Sequence, residues 1–138
     1  MAFESRVLIV DDSVAFRRAL RAALESTGMH VFEAGEGLEA LWRVRNERPF
    51  DLLVVDVHMP TMDGLSFIRE VKALPAYAAT PIVVVTSDSS RERRMEGRAL
   101  GTTAWLLKPP DMDALVKSIL AALYRGSPTD PEASRAPG

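Results

Sequence analysis

The sequence predicts an α/β fold in which five parallel strands are covered by helices on both faces. Short apolar runs alternate five times with segments whose apolar residues recur at helical spacing. Three of the runs are rich in Val, Ile and Leu without alternating polar residues, as is typical of strands buried on both faces. Parallel neighbours need a crossover helix, so this rhythm favours a parallel sheet.

The size and composition of the chain indicate a single soluble domain. It has 138 residues, 47% hydrophobic and 26% charged, with a formal net charge of −2 and no cysteine. The net charge gives no reason to expect binding to nucleic acid or to an anionic membrane. The longest apolar runs are far shorter than a membrane span. We therefore expect a cytoplasmic protein with no direct nucleic-acid or membrane partner.

The predicted strands are apolar runs that end at polar or turn-forming residues. They cover residues 7–10, 30–34, 52–57, 82–86 and 104–108.

Five helices are predicted from the spacing of apolar residues, over residues 19–24, 38–42, 67–74, 90–100 and 115–123. Gly28, Pro49 and Pro75 are the stop signals of the first three. Asp111 is the predicted N-cap of the last. The fourth has a charged face and contains Gly97, so we expect it to be the least stable of the five.

The composition changes at Gly126. The segment "GSPTDPEASRAPG" has three prolines and no large apolar residue. Such a segment cannot bury enough apolar surface to fold, so we expect a disordered tail over residues 126–138 after a domain over residues 1–125.

Polar residues stand at the ends of four predicted strands. Asp11 and Asp12 end the first, Asp56 the third, Thr86 the fourth and Lys108 the fifth. In an open parallel sheet these ends lie along one edge, where ligands bind. Three clustered carboxylates repel each other unless a cation offsets them, and Mg²⁺ prefers such oxygen ligands. The pattern predicts a magnesium site; the alternative, that each is only a cap or turn residue, requires four coincidences.

Four motifs, "VDDS", "DVHMPTMDG", "VVVTSDSS" and "WLLKP", resemble in order and spacing the receiver domain of two-component response regulators, over roughly residues 5–124. The resemblance implies a flavodoxin-like (βα)5 fold with strand order 2-1-3-4-5. It also implies a signalling switch rather than an enzyme, phosphorylated by a sensor histidine kinase or a phosphotransfer protein and acting on a protein target. The chain looks most like the stand-alone chemotaxis receivers.

The resemblance assigns the acids their roles. Asp56 is the implied phosphoacceptor. Asp11, Asp12, Asp56 and the backbone carbonyl of His58 are the implied ligands of Mg²⁺, with Mn²⁺ as an alternative ion.

The remaining roles concern the phosphoryl group and the response to it. Lys108 is expected to pair with one phosphoryl oxygen and Thr86 to hydrogen-bond another. Trp105 occupies the switch position; it is expected to turn inward and alter the face made by the fourth helix, fifth strand and fifth helix, although half-buried packing is the alternative. Through this face we expect a monomer or a weak dimer. Trp42 we treat as structural.

Two residues depart from what chemotaxis receivers often carry. His58 follows Asp56 by two residues, where Asn is frequent, and Asp88 follows Thr86 by two, where Glu is common. Both flank the route of water to the phosphoacceptor and are candidate modulators of dephosphorylation. A contact between them is one interpretation, and two solvated side chains the other.

Two alternative functions remain at this point. A phosphatase of the haloacid dehalogenase type also uses an Asp nucleophile, Mg²⁺ and a Lys, but it needs a second Asp where this chain has His58. A receiver cut from a larger regulator with a missing output domain is the other alternative, because the Pro-rich tail resembles a truncated linker.

Overall fold

The computed structural model describes residues 4–124, so the tail predicted over residues 126–138 lies outside the described residues. Strands and helices alternate as β1 (Arg6–Val10), α1 (Val14–Glu25), β2 (His30–Ala34), α2 (Gly37–Asn46), β3 (Leu52–Val55), α3 (Gly64–Lys72), β4 (Ile82–Thr86), α4 (Arg91–Ala99), β5 (Ala104–Leu107) and α5 (Met112–Tyr124). All paired strands are parallel, in the order β2-β1-β3-β4-β5. The predicted fold class and strand order are confirmed.

Alternate residues of the central strands pack into two separate hydrophobic cores, one on each face of the sheet. Leu8 and Val10 of β1 point into one core with residues of α2 and α3, while Val7 and Ile9 point into the other with residues of α1 and α5. All four are fully buried. Burial on both faces explains why these strands lack polar residues. No helix within residues 4–124 is long and apolar enough to cross a membrane.

Some element boundaries differ from those predicted. β3 ends at Val55 and β5 at Leu107, so Asp56 and Lys108 follow their strands instead of ending them. α3 begins at Gly64, capped by the Asp63 side chain, which accepts a hydrogen bond from the Ser66 amide at 2.9 Å. The predicted cap of α5 is confirmed, since the Asp111 side chain accepts a hydrogen bond from the Ala114 amide at 3.1 Å.

Trp42, which the sequence analysis treats as structural, lies at the surface. Its side chain is 61% exposed, and Leu38, one turn earlier on α2, is 51% exposed. Only Leu41 of the three apolar residues used to predict this helix is buried. Helical spacing locates a helix, but it does not identify which of two adjacent apolar stripes faces the core.

Helix α4 is a regular nine-residue helix whose N-cap, Ser90, accepts a hydrogen bond from the Arg93 amide at 3.3 Å. Gly97, taken from the sequence as a weakness, is the buried contact of this helix with Trp105. A Cβ atom at Gly97 would lie 2.8 Å from Cζ3 of the Trp105 ring. The glycine is therefore what lets the helix rest on the indole, a packing reason that outweighs its low helix propensity.

Candidate functional site

The acids lie where β1 and β3 end side by side. The Asp56 amide donates a hydrogen bond to the Val10 carbonyl at 3.0 Å, which places Asp56 next to the turn that carries Asp11 and Asp12. The other side of the Asp56 backbone is packed against Gly64, because a Cβ atom there would overlap the Asp56 carbonyl oxygen. The absence of a side chain at Gly64 thus allows α3 to begin directly against the site.

Lys108 joins the acids across the sheet edge. Its Nζ lies 2.7 Å from Oδ2 of Asp11 and 3.1 Å from Oδ2 of Asp56. The ammonium also lies 4.7 Å from the centre of the Phe16 ring on α1, a cation–π distance. Burial favours the neutral amine and would lower the pKa of Lys108, but the two carboxylates outweigh it and the pKa is raised. Lys108 is therefore held as a cation between the two acids.

Asp11 is the acid of the site whose negative charge is most disfavoured by burial. It is 1% exposed, and burial raises the pKa of its carboxyl group despite the opposing effects of the Lys108 ammonium and the Ser13 amide. The Ser13 amide donates to Oδ1 at 2.8 Å. Oδ2 is buried, and its charged partner among the described residues is the Lys108 ammonium, at 2.7 Å. This cation offsets part of the cost of burying a carboxylate oxygen.

The three acids fit a divalent cation. Asp11, Asp12 and Asp56 each offer one carboxylate oxygen, and these atoms lie within 4.8 Å of one another. Asp12 is exposed, so the cluster opens to water on one side. Carboxylate oxygens with open positions for water are the ligands that Mg²⁺ prefers. Three acids share one ammonium, and this excess of negative charge is the observation that favours an ion over a merely structural acid cluster.

Arg17, a residue that the sequence did not point to, holds the Asp11 backbone and is itself paired with Glu33. The Arg17 guanidinium donates through Nη1 to the Asp11 carbonyl oxygen and through Nε to Oε1 of Glu33, at 2.8 Å. Arg21 donates to the other oxygen of Glu33 at 2.8 Å. Nothing in the spacing of these residues along the chain signals the contact, because it joins α1 to β2 through the fold.

A chain of contacts leads from the site to α4. Thr86 is fully buried, and its hydroxyl oxygen accepts a hydrogen bond from the Asp88 amide at 3.1 Å. The Trp105 indole donates through Nε1 to the Asp88 carbonyl at 3.3 Å, and its ring lies against Gly97. Thr86, the residues after β4, Trp105 and α4 are therefore in continuous contact.

His58 and Asp88 meet across the mouth of the site. Nε2 of His58 lies 2.7 Å from Oδ2 of Asp88, so the interpretation as a contact is correct and the solvated alternative is wrong. The Ser90 amide and hydroxyl, followed by His58, lower the pKa of Asp88 to about 2. Asp88 is thus ionised at neutral pH and able to accept a hydrogen bond from the imidazole.

The chain is similar in sequence and structure to known proteins. Residues 7–120 match the family model of the response regulator receiver domain. The chain belongs to this family. A solved structure of the chemotaxis response regulator CheY4 of Vibrio cholerae is 37% identical, with a TM-score of 0.79, and the match covers 86% of this chain and 98% of that one.

Curated relatives include longer proteins. The chain is 39% identical over 117 residues to the transcriptional regulatory protein ZraR of Escherichia coli O157:H7, a match that covers 85% of this chain and 26% of that protein. It is 39% identical over 125 residues to the response regulator MprA of Mycobacterium leprae, covering 91% of this chain and 54% of MprA. The chain therefore spans about a quarter to a half of the length of these relatives.

The raised pKa of Asp11 predicts that Asp11→Asn is more stable than the wild type at neutral pH, by about 1 kcal/mol, because Lys108 keeps Asp56 as its partner. A carboxyl group whose pKa is raised on folding binds its proton more tightly in the folded state. The free energy of unfolding therefore falls as pH rises above the unfolded pKa of about 3.9. Denaturant unfolding from pH 3.5 to 7 should show little difference at the acid end and a growing advantage for Asp11→Asn above it. A wild type as stable as the variant at pH 7 would contradict the assignment.

The Arg17 contact predicts that Arg17→Met weakens Mg²⁺ binding without removing a ligand. The loss should be about tenfold, because outer partners orient the groups that bind the metal. Isothermal titration with Mg²⁺ measures the change. Arg18→Met is the matched control, since Arg18 is exposed and has no side-chain partner within residues 4–124. Equal affinities in the two variants would show that Arg17 does not position Asp11.

Proposed function

We propose that this receiver is a switch controlled by phosphorylation of Asp56. The observation that carries the proposal is the Lys108 ammonium held between Asp11 and Asp56, with Asp12 in reach of the same point. Such a site can accept the negative charge of a transferred phosphoryl group. The donor would be a sensor histidine kinase or a phosphotransfer protein, in the cytoplasm.

The Asp56 carboxylate is arranged to act as the nucleophile. Lys108 holds Oδ2 at 3.1 Å, while Oδ1 receives only the long 3.4 Å hydrogen bond from the His58 amide among the described residues. In the proposed transfer, this oxygen forms a bond to phosphorus and the P–N bond of the donor phosphohistidine breaks. The imidazole keeps the electron pair and takes up a proton. Lys108 remains in place to pair with a phosphoryl oxygen.

Asp11, Asp12, Asp56 and the His58 carbonyl would hold Mg²⁺, with Mn²⁺ as the alternative. When bound, the ion neutralises charge on the phosphoryl group. The residues of the chain prepare its site: Arg17 fixes the Asp11 backbone, and Lys108 offsets the acids.

The response would pass through Thr86 and Trp105. A phosphoryl oxygen would accept a hydrogen bond from the Thr86 hydroxyl, whose oxygen accepts one from the Asp88 amide, and the Trp105 indole is bonded to the same Asp88 backbone. Movement of Thr86 would therefore release Trp105 and shift α4, which rests on it. The face made by α4, β5 and α5 would then bind or release a protein partner.

This switch fits two biological contexts. The likeness to the chemotaxis protein CheY4, covered over 98% of its length, supports a stand-alone receiver in chemotaxis or a related pathway. The partial coverage of ZraR and MprA supports the alternative, a receiver that belongs to a larger regulator.

The assignment of Asp56 predicts one phosphoryl adduct per chain after incubation with acetyl phosphate and Mg²⁺, detected by intact-protein mass spectrometry. EDTA or Asp56→Asn should abolish the adduct, because the ion and the nucleophile are both required. Asp113→Asn, which changes an exposed aspartate on α5, is the matched control and should retain it. An adduct that persists in Asp56→Asn would refute the assignment.

The bridge between His58 and Asp88 predicts that opening it speeds dephosphorylation. We expect His58→Asn and Asp88→Asn to shorten the lifetime of the phosphorylated protein roughly two- to fivefold, and the double variant to do no more. Ser89→Ala, in the same loop, is the control. Loss of the adduct with time can be followed by mass spectrometry after removal of acetyl phosphate. Unchanged lifetimes, or effects that add in full, would contradict a shared role.

A further inference from the structure

Helix α4 presents a basic stripe to the solvent. Arg91, Arg94, Met95 and Arg98 stand at positions i, i+3, i+4 and i+7 of the helix, so they share one face. All four side chains are exposed, and Met95 is 56% exposed. Gly97 and the Trp105 ring lie on the opposite, buried side. We name these four residues the arginine stripe.

None of the three guanidinium groups of the arginine stripe has a side-chain partner within residues 4–124. This differs from much of the molecule, where arginines pair with carboxylates: Arg17, Arg21, Arg43, Arg45 and Arg69. Glu96 of α4 itself pairs with Arg69 of α3, at 2.9 Å, and so faces away from the stripe. Three unpaired cations therefore surround one exposed apolar side chain, on a chain whose net charge is −2.

We propose that the arginine stripe docks an acidic segment of a partner protein. Guanidinium groups bind carboxylates through two parallel hydrogen bonds, and the flexible Met95 offers an adaptable apolar contact between them. Nucleic acid is the poorer match. Binding to it relies on many phosphate contacts, and Met95 adds none.

The stripe is joined to the phosphoacceptor site through its own helix. Gly97 lies against Trp105, which donates to the Asp88 backbone beside Thr86. Control of this binding by phosphorylation rests on the proposed function. The attraction between the arginine stripe and an acidic segment does not depend on it. The partner chemistry is thus a property of α4, and the switching is a property of Thr86 and Trp105.

The test uses the full chain and two fluorescein-labelled peptides, a repeat of Glu-Glu-Leu and its uncharged match of Gln-Gln-Leu. Fluorescence anisotropy measures binding at low salt, with and without Mg²⁺ and beryllofluoride. The stripe variant is Arg94→Glu with Arg98→Glu. The control, Arg18→Glu with Arg48→Glu, makes the same change in net charge at exposed arginines that lack side-chain partners within residues 4–124. A second variant, Arg94→Gln with Arg98→Gln, removes the two charges and should keep α4 folded, since glutamine is nearly as good a helix former as arginine.

We expect the acidic peptide to bind and the uncharged peptide to bind at least tenfold more weakly. The stripe variant should lose about tenfold in affinity, the glutamine variant less, and the control under threefold. Beryllofluoride should change the affinity of the wild type. Equal losses in the stripe variant and the control, or tighter binding of a 16-base-pair DNA duplex than of the acidic peptide, would overturn the proposal. The Trp105 fluorescence of the stripe variant should still respond to beryllofluoride. Such a response would show that the phosphoacceptor site is intact and that the loss of peptide binding comes from the stripe.

Discussion

The site depends on one electrostatic constraint, which is that three carboxylates share a small volume at the edge of the sheet. Asp11 and Asp56 are both buried, and in a low-dielectric interior two such charges cannot both persist without a cation. Lys108 supplies that cation within 3.1 Å of both. One ammonium, however, offsets only part of the charge of three carboxylates. The arrangement is therefore stable enough to fold and still incomplete, which favours binding of a metal ion and a phosphoryl group.

The surrounding fold holds these charged residues in position. The register of β1 with β3 places Asp56 next to the turn after Val10, and Gly64 lets α3 start against the Asp56 backbone. Arg17, itself paired with Glu33, donates to the Asp11 carbonyl from the other side. The charged groups thus follow the ends of β1, β3 and β5, while Thr86 ends β4 and Asp88 lies in the loop after it. A fold built this way can keep its charges in position and still transmit a change to α4.

Much of this was predictable from the sequence, because buried strands and the acids that follow them leave local patterns. The residues predicted the fold class and the convergence of Asp11, Asp12, Asp56, Thr86 and Lys108 on one edge, and the resemblance to receiver domains implied the strand order. Contacts that depend on tertiary packing were not predicted. The Arg17 contact with Asp11 joins residues with no shared pattern, and Gly97 was taken as a weakness of α4 when it is a packing contact. The helical spacing of Leu38, Leu41 and Trp42 did not show that only Leu41 is buried. The His58–Asp88 contact left two interpretations open, since sequence alone does not show whether side chains on different loops meet.

The most direct test of the account is the fluorescence of Trp105 in a Trp42→Phe host, titrated with Mg²⁺ and then with beryllofluoride, which mimics a phosphoryl group. The account predicts a change in Trp105 emission that requires Mg²⁺ and vanishes in Asp56→Asn. That result would join the acid cluster, Lys108, Thr86 and Trp105 in one mechanism. An unchanged emission in a protein that binds Mg²⁺ would contradict the coupling, and failure to bind either Mg²⁺ or beryllofluoride would contradict the site itself.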